Sequence, residues 1–133
     1  MSKPVVLFVC VHNAGRSMAA RVLLAAYAGE AIEALSAGSE PGTSVNPVVV
    51  KVLADRGHDA TREAPKVLVA EDVRRATVAI TMGCGDACPI FPGVRYEDWP
   101  IEDPAGQDEG AVARIVDDID VRVRTLVKEL LGA

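Results

Sequence analysis

The chain has 133 residues, of which 50% are hydrophobic and 25% are charged. This composition is typical of a soluble globular protein and excludes a disordered or fibrous one. The formal net charge of −5 weighs against a nucleic-acid partner, because phosphate backbones attract basic surfaces. We therefore predict a single domain over residues 1–133 that does not bind nucleic acid.

No apolar run is long enough to cross a bilayer, so no membrane association is expected. The apolar run after Lys3 looks like the front of a signal peptide, but it reaches His12 and Arg16 without a small-residue cleavage site. We predict a buried strand there and a cytoplasmic protein. In such a protein the three cysteines are more often catalytic, redox-active or metal-binding than structural.

The first half of the chain alternates between strand and helix patterns. Val5–Val9 is a continuous apolar run, typical of a strand that is covered on both faces. Apolar residues at helical spacing predict a helix at Arg16–Tyr27, and a second strand follows at Ile32–Ser36. A second helix begins at Pro47, with Asn46 as its N-cap.

The second half continues the alternation. Residues 64–76 are predicted to be a shorter helical segment, and Thr77–Met82 a third strand. Val94–Trp99 is predicted as a short fourth strand, with Trp99 as a packing residue. Helical spacing of apolar residues over 112–130 predicts one long C-terminal helix. Strands that alternate with helices predict an α/β fold with a parallel sheet.

Three chemically notable residues follow the ends of predicted strands. Cys10 ends the first strand, Cys84 follows the third and Asp103 follows the fourth. In open parallel sheets the ligand binds beyond the carboxyl ends of the strands. These three residues are therefore predicted to lie on the functional side of the sheet.

The loop from Cys10 to Arg16 joins a strand to the N-terminus of a helix. Such a loop points backbone N–H groups at a common point and adds the positive end of the helix dipole, which together bind anions. Ala14 and Gly15 keep the loop slim, and Asn13 tolerates left-handed torsion angles. Arg16 offers a planar fork for two oxygens of a phosphate-like anion. The predicted oxyanion-binding residues are Val11, His12, Asn13, Ala14, Gly15, Arg16 and Ser17.

Cys10 is the predicted nucleophile, because the same field favours loss of its proton and only the thiolate attacks. Ser17 can donate to that thiolate or cap the helix. His12 is expected to shape the loop or to lie exposed beside the anion, rather than to act as an acid. The loop lacks the Gly-Lys-Ser/Thr ending of a Walker A motif, so nucleotide binding is not predicted. The loop as a whole predicts attack by sulfur on the central atom of a tetrahedral oxyanion.

The segment Val9–Ser17, VCVHNAGRS, resembles the phosphate-binding loop of the low-molecular-weight protein tyrosine phosphatase family. A second match is WPIEDPAGQ, Trp99–Gln107, whose Asp-Pro carries the general acid in that family. The resemblance implies a three-layer α/β/α fold with a four-stranded parallel sheet, and it implies that Asp103 is the acid. Taken alone, the second segment is typical of an acid-rich surface turn. The other acids that remain candidates there are Glu102, Asp108 and Glu109.

The segment TMGCGDACP adds two thiols, Cys84 and Cys88, which a phosphatase does not need. Two cysteines at the same end of the sheet as Cys10 suggest thiol–disulfide exchange. Here the chain resembles the arsenate reductases that share the phosphatase fold. That resemblance implies that Cys10 attacks arsenate, while Arg16 and the loop amides stabilise the charge and Asp103 protonates the departing oxygen. A second thiol then attacks Cys10, and arsenic leaves as arsenite.

The resemblance implies no bound cofactor and an external thiol reductant of one of two kinds. In the thioredoxin-coupled branch, Cys84 attacks Cys10, and Cys88 passes the disulfide on to thioredoxin. In the other branch, a small thiol such as mycothiol or glutathione takes the adduct, and a mycoredoxin-like protein completes the cycle. Only three residues separate Cys84 from Cys88, whereas the first branch typically has a longer insert, so both branches stay open. Phosphate-like oxyanions are expected to compete with arsenate.

Three alternatives stand beside this interpretation. A phosphatase acting on phosphotyrosine or small phosphomonoesters would use the same Cys10, although Ala105 follows the Asp-Pro where such enzymes usually carry aromatics. A non-catalytic oxyanion sensor would retain the anion site without turnover. The third alternative is a zinc site at Cys84 and Cys88, but the sequence offers no paired histidines to complete it.

Arg21 stands where some relatives have a glutamate that helps to bind potassium, and no metal is predicted.

Overall fold

The computed structural model describes residues 3–83 and 89–132. Within these two stretches none of the helices is long and apolar enough to cross a membrane. The strands are β1 Val5–Cys10, β2 Glu33–Gly38, β3 Val78–Thr81 and β4 Arg95–Asp98. The helices are α1 Arg16–Ala28, α2 Pro47–Asp55, α3 Ala70–Arg75 and α4 Glu109–Leu131, with a short 3-10 helix at Gly29–Ala31.

The sheet is parallel throughout, with the strand order β2-β1-β3-β4. Strand β1 lies in the middle and pairs with β2 from Val5 opposite Glu33 to Cys10 opposite Gly38. Its residues 6–9 are all 0% exposed, as expected for an apolar run that is covered on both faces. Cys10 consequently lies at the carboxyl edge of an interior strand.

Different helices cover the two faces of the sheet, because successive side chains of a strand point to opposite sides. Val6 and Phe8 pack in one core with residues of α1, α2 and α4. Leu7 and Val9 pack in a second core with Val73 of α3. The predicted three-layer α/β/α fold with a four-stranded parallel sheet is therefore confirmed.

The prediction of a helix over residues 64–76 is wrong in its first half, since α3 covers only the last part of that segment. The preceding residues are extended and run beside the end of β2, where the Gly38 N–H donates to the Lys66 carbonyl at 2.8 Å. Val67 forms a parallel bridge with Gly38. Pro65 disfavours helical torsion angles in the residue before it, and the β-branched Val67 favours an extended chain. The apolar pattern was that of a strand-like edge segment followed by a short helix.

Two local predictions agree with the contacts. The Asn46 side chain accepts from the backbone N–H groups of Val48 and Val49 at 2.9 and 3.4 Å, which makes it the N-cap of α2. Trp99 is 5% exposed, and its ring centroid lies 5.6 Å from that of Phe8. Trp99 therefore packs between the end of β4 and the core.

Candidate active site

Residues 11–15 form a tight loop between the end of β1 and the start of α1. Asn13 has a φ of 50°, in the left-handed region that few residues other than glycine and asparagine adopt. The loop rests on Gly38 at the end of β2, where an added Cβ would lie 2.7 Å from the Val11 carbonyl oxygen and 3.0 Å from the Asn13 nitrogen. A side chain at position 38 would push the loop away from the sheet, so the glycine sets the position of the loop.

Donor groups surround the Cys10 sulfur, and the residue is 2% exposed. The Asn13 backbone N–H donates to Cys10 Sγ at 3.2 Å, and Ser17 Oγ lies 2.9 Å from the same sulfur. Ser17 Oγ also accepts from Asn13 Nδ2 at 2.7 Å, which leaves the hydroxyl hydrogen of Ser17 free to point at the sulfur. The N-terminus of α1 adds the positive end of a helix dipole. Such surroundings suit a nucleophilic thiolate rather than an inert core cysteine.

Asn13 also ties the loop to a distant part of the chain. The residue is 0% exposed, and its Oδ1 accepts from the Lys66 backbone N–H at 2.9 Å. The extended segment beside Gly38 thus holds the asparagine that orients Ser17 and contacts Cys10. The left-handed torsion was expected from the sequence, whereas the bond to Lys66 was not.

Arg16 reaches across the mouth of the loop with a side chain that is 11% exposed. Its Nη1 donates to the Ile101 carbonyl at 3.2 Å, and its Nη2 lies 3.7 Å from Asp103 Oδ2. The guanidinium lies directly against Gly83, which has a φ of 91° and leaves no room for a Cβ. Sequence reasoning missed Gly83, and the available signal was a glycine placed immediately after the third strand.

Asp103 lies on a turn that is docked against the Cys10 loop. Its Oδ1 accepts from the Ala105 backbone N–H at 3.0 Å, and its side chain is 54% exposed. The next residue, Pro104, contacts Gly15, since a Cβ on that glycine would lie 2.7 Å from Pro104 Cγ. The contact between Pro104 and Gly15 therefore sets how near the carboxyl group comes to Cys10.

The other candidate acids have different partners. Asp108 caps α4 with its side chain, and Glu102 accepts a hydrogen bond within its own turn. Glu109 pairs with Lys51 at 3.3 Å. Hydrogen bonds to Asp55 and Glu109 raise the pKa of Lys51 above its ordinary value. Asp103 is thus the acid of this stretch whose carboxyl group faces the cysteine loop.

A cavity of about 40 Å³ lies over Cys10. A cavity needs roughly 10–15 Å³ of such volume to hold one water, so this one suits a small inorganic anion. Its lining residues are Cys10, His12, Ala14, Gly15, Arg16, Asn46, Asp103, Pro104 and Ala105. Three of the predicted oxyanion-binding residues are not part of this lining. Asn13 and Ser17 contact the Cys10 sulfur instead, and the Val11 carbonyl accepts from the Glu40 N–H at 2.8 Å. Asn46 was predicted only as a helix cap, and the structure adds it to the cavity wall.

The predicted redox thiols Cys84 and Cys88 lie outside the described residues, and so do the two ligands of the alternative zinc site. Within 3–83 and 89–132 no three His, Cys, Asp or Glu side chains converge on a common point as metal ligands would. Arg21 forms an ion pair with Glu63, in which the two side chains are 20% and 27% exposed. The pair links α1 to the segment that leads to Lys66.

Solved structures of similar fold include arsenate reductases. A thioredoxin-dependent arsenate reductase from Corynebacterium glutamicum superposes with a TM-score of 0.87 and 43% identity, covering 97% of this chain and 62% of that chain. This chain therefore spans somewhat less than two thirds of that relative. An arsenate reductase from Archaeoglobus fulgidus superposes with a TM-score of 0.77 and 36% identity, covering 92% of this chain and 98% of that one.

Sequence comparison gives a similar result. Arsenate reductase 1 of Bacillus cereus is 31% identical over 127 residues, which cover 92% of this chain and 93% of that protein. The family model described as low molecular weight phosphotyrosine protein phosphatase matches residues 5–132. That span includes both the Cys10 loop and the Asp103 turn. The chain belongs to the low molecular weight phosphotyrosine protein phosphatase family.

Proposed function

We propose that this protein reduces arsenate to arsenite through an adduct on Cys10. The observation that carries the proposal is the cavity of about 40 Å³ in which the Cys10 sulfur, with donors from Asn13 and Ser17, faces Arg16 and Asp103. Similarity to the arsenate reductases from Corynebacterium, Archaeoglobus and Bacillus supports arsenate as the substrate. The role in the cell would be detoxification of arsenate.

The first step joins sulfur to arsenic. The Cys10 thiolate attacks the arsenic atom, the As–O bond to one arsenate hydroxyl breaks, and that hydroxyl leaves as water after it takes a proton from Asp103. The fork of Arg16 and the loop amides hold the remaining oxygens and balance their negative charge. Phosphate has the same shape and charge and is expected to compete for the cavity.

The second step transfers electrons to arsenic. A second thiolate attacks Cys10 Sγ, the S–As bond breaks with its electron pair on arsenic, and arsenite leaves as a disulfide forms. The second thiol is either Cys84, with Cys88 passing the disulfide on to thioredoxin, or a small thiol such as mycothiol with a mycoredoxin-like partner. The thioredoxin-dependent relative supports the first route, and the short spacing between Cys84 and Cys88 supports the second.

The composition of the cavity wall favours reduction of a small inorganic anion over phosphotyrosine hydrolysis. Ala105 follows the Asp-Pro in the lining, and among the residues that the structure describes the lining includes no Phe, Tyr or Trp that could hold a phenyl ring. The second candidate function is hydrolysis of small phosphomonoesters. It is favoured by the family itself and by the combination of Cys10, Arg16 and Asp103, which serves that reaction equally well.

The test compares the two reactions in one preparation. Arsenate is supplied with thioredoxin, thioredoxin reductase and NADPH, or with mycothiol and mycoredoxin, and p-nitrophenyl phosphate is run in parallel. We expect arsenate-dependent NADPH loss that the Cys10→Ser variant abolishes and that phosphate inhibits competitively. Rapid hydrolysis of p-nitrophenyl phosphate without arsenate turnover under either reductant would replace this proposal with the phosphatase.

A single variant separates the two routes for the second thiol. Cys88→Ser is expected to stop turnover with thioredoxin if the disulfide passes through that residue. Normal turnover of the same variant with mycothiol and mycoredoxin would assign the second step to the small thiol. Full thioredoxin-coupled activity in Cys88→Ser would exclude the relay.

A further inference from the structure

The His12 side chain lies at the mouth of the Cys10 cavity in a fixed position. His12 is among the residues that line the cavity, and it is exposed to solvent. Its carbonyl accepts from the Gly42 N–H at 2.9 Å, and the neighbouring Val11 carbonyl accepts from the Glu40 N–H at 2.8 Å. The main chain on both sides of the ring is therefore anchored to the connection between β2 and α2.

The hydrogen bond of the ring determines which nitrogen is free. His12 Nδ1 lies 2.9 Å from the Glu40 carbonyl oxygen. A carbonyl oxygen only accepts, so Nδ1 carries the ring proton in the neutral imidazole. The Nε2 atom then has an unshared electron pair and can take up a proton.

The second step of the proposed reaction needs a proton acceptor at this place. A thiol must lose its proton before its sulfur can attack a sulfur–arsenic adduct, because the thiolate is the nucleophile. Among residues 3–83 and 89–132, four titratable groups line the cavity with the ring or adjoin it: Cys10, Arg16, Asp103 and Glu40. Cys10 carries the arsenic at that stage, and an arginine does not accept a proton.

The choice of acceptor lies between His12 and Asp103. Asp103 serves the first step as the acid; its Oδ1 accepts from the Ala105 N–H at 3.0 Å and its Oδ2 lies 3.7 Å from Arg16 Nη2, so the carboxylate is held beside the guanidinium. The Glu40 carboxylate is exposed, and what Glu40 presents to the ring is its carbonyl oxygen. His12 Nε2 is an acceptor on an exposed residue of the cavity lining, where a thiol would arrive from solvent.

We infer that the His12 imidazole accepts the proton of a small external thiol as that thiol attacks Cys10. The inference rests on the proposed function, and it gives His12 of the Cys10 loop a catalytic role separate from those of Cys10, Arg16 and Asp103. His12 would thus serve the second step, while Asp103 serves the first.

The step balances in atoms and electrons. The thiol proton moves to His12 Nε2, a bond forms between the thiol sulfur and Cys10 Sγ, and the bond from Cys10 Sγ to arsenic breaks. The electron pair of that bond stays on arsenic, so arsenic(V) becomes arsenic(III) while the two sulfurs are oxidised to a disulfide. The imidazolium then returns its proton to an oxygen of the departing arsenite.

The test uses two external thiols that differ in ionisation. An alkanethiol is mostly protonated at neutral pH and needs a base, whereas an aromatic thiol with electron-withdrawing groups is already a thiolate. Arsenite release is measured in a Cys84→Ser/Cys88→Ser background, so that the added thiol is the attacking group. His12→Gln is compared with its parent in both thiols, and His58→Gln, which alters a histidine outside the cavity, is the matched control.

We expect His12→Gln to lose about 100-fold in rate with the alkanethiol, which is the lower end of general acid–base contributions. With the ionised thiol the rate should change by less than about twofold, because no proton remains to be removed. His58→Gln should match the parent in both. Added imidazole should restore part of the alkanethiol rate in His12→Gln.

The remaining outcomes overturn the inference in distinguishable ways. An equal loss with both thiols would mean that His12 shapes the loop or holds the oxyanion, and an unchanged alkanethiol rate would mean that it takes no part. A double-serine background that does not turn over, beside an active wild-type chain, would mean that external thiols do not reach Cys10. Absence of arsenate turnover in the wild type with every reductant would instead remove the proposed function, and this inference with it.

Discussion

The two walls of the Cys10 cavity are built in opposite ways. The nucleophile wall, residues 10–17, is buried and cross-linked, with Asn13 and Ser17 both 0% exposed and hydrogen-bonded to each other and to the sulfur. The acid wall, the turn at residues 102–107, lies at the surface, and the Asp103 side chain is 54% exposed. Under the proposed function, this difference fits a sulfur that must be placed precisely and an acid that must stay in contact with water in order to regain its proton.

The largest effect is expected from Asp103→Asn on the acid wall. An amide cannot protonate the leaving oxygen, so kcat for arsenate should fall by about 100-fold or more. The unfolding midpoint should stay the same, because the carboxylate is exposed and its pairing with Arg16 is long at 3.7 Å. Turnover and thermal unfolding are measured side by side, with Glu102→Gln as the control on the same turn. Near-normal turnover in Asp103→Asn would assign the acid to another group.

The reverse pattern is expected from Asn13→Ala on the nucleophile wall. This change removes the bonds to Ser17 Oγ and the Lys66 N–H and leaves a non-glycine residue at a φ of 50° without its side-chain partners. Lost buried hydrogen bonds typically cost about 1–3 kcal/mol each, so chemical denaturation should show a clear loss of stability. Turnover should fall by about tenfold, because the sulfur loses its alignment. A variant as stable as the wild type would contradict the cross-linked description of this wall.

Gly15→Ala tests the contact between the two walls. The added Cβ would lie 2.7 Å from Pro104 Cγ, so the acid wall must move outward. We expect a loss of about 1–2 kcal/mol in stability from overpacking and a severalfold fall in kcat, with a smaller change in KM. Gly106→Ala is the control on the same turn away from the contact, and it meets no atom within 4 Å, although its φ of 73° strains an alanine. Equal kcat values in Gly15→Ala and the wild type would mean that the turn moves freely.

The smallest effect is expected from Glu63→Gln, which weakens the support behind the nucleophile wall. Glu63 pairs with Arg21 of α1 on the segment that leads to Lys66. A partly exposed ion pair contributes at most about 1 kcal/mol, so the unfolding midpoint should fall slightly and turnover should remain within about twofold. Glu71→Gln, which removes an exposed pair with Arg74, is the matched control. A large loss of activity in Glu63→Gln alone would place this pair in the alignment of Cys10.

Local signals in the sequence predicted the parts of the fold that depend on neighbouring residues. The apolar run at Val5–Val9, the Asn46 cap and the turn-forming Asn13 each act over a few residues, and each has its expected structure. The segment at 64–76 was predicted incorrectly, because its extended half is held by Gly38, which is far away in the sequence. The periodicity of apolar residues predicts local secondary structure, but it does not predict which strand edge a segment will pair with.

The same division applies to the candidate site. The motif around Cys10 and the Asp-Pro at 103–104 predicted a nucleophile loop and an acid on the same side of the sheet, and the structure brings Cys10, Arg16 and Asp103 together around one cavity. The packing of Gly83 under Arg16 and of Gly15 against Pro104 was not predictable, because a glycine that makes room for a distant side chain looks like any turn glycine in the sequence. The hydrogen bond from Lys66 to Asn13 was missed for a related reason, since a backbone N–H carries no residue-specific signal.

The bond between Asn13 and Lys66 has a consequence for how the protein matures. It joins residues 53 positions apart, and the loop that it anchors also rests on Gly38. Contacts of such large sequence separation form late in folding, because the chain must first pay the entropy of closing the intervening loop. In a partly unfolded chain, residues 10–17 are not yet held against Gly38 and Lys66, so the ordered arrangement of donors around Cys10 is not expected there. If Cys10 is the proposed nucleophile, its rapid reaction with an oxyanion is expected only in the folded chain, so that reaction would report on the native state itself.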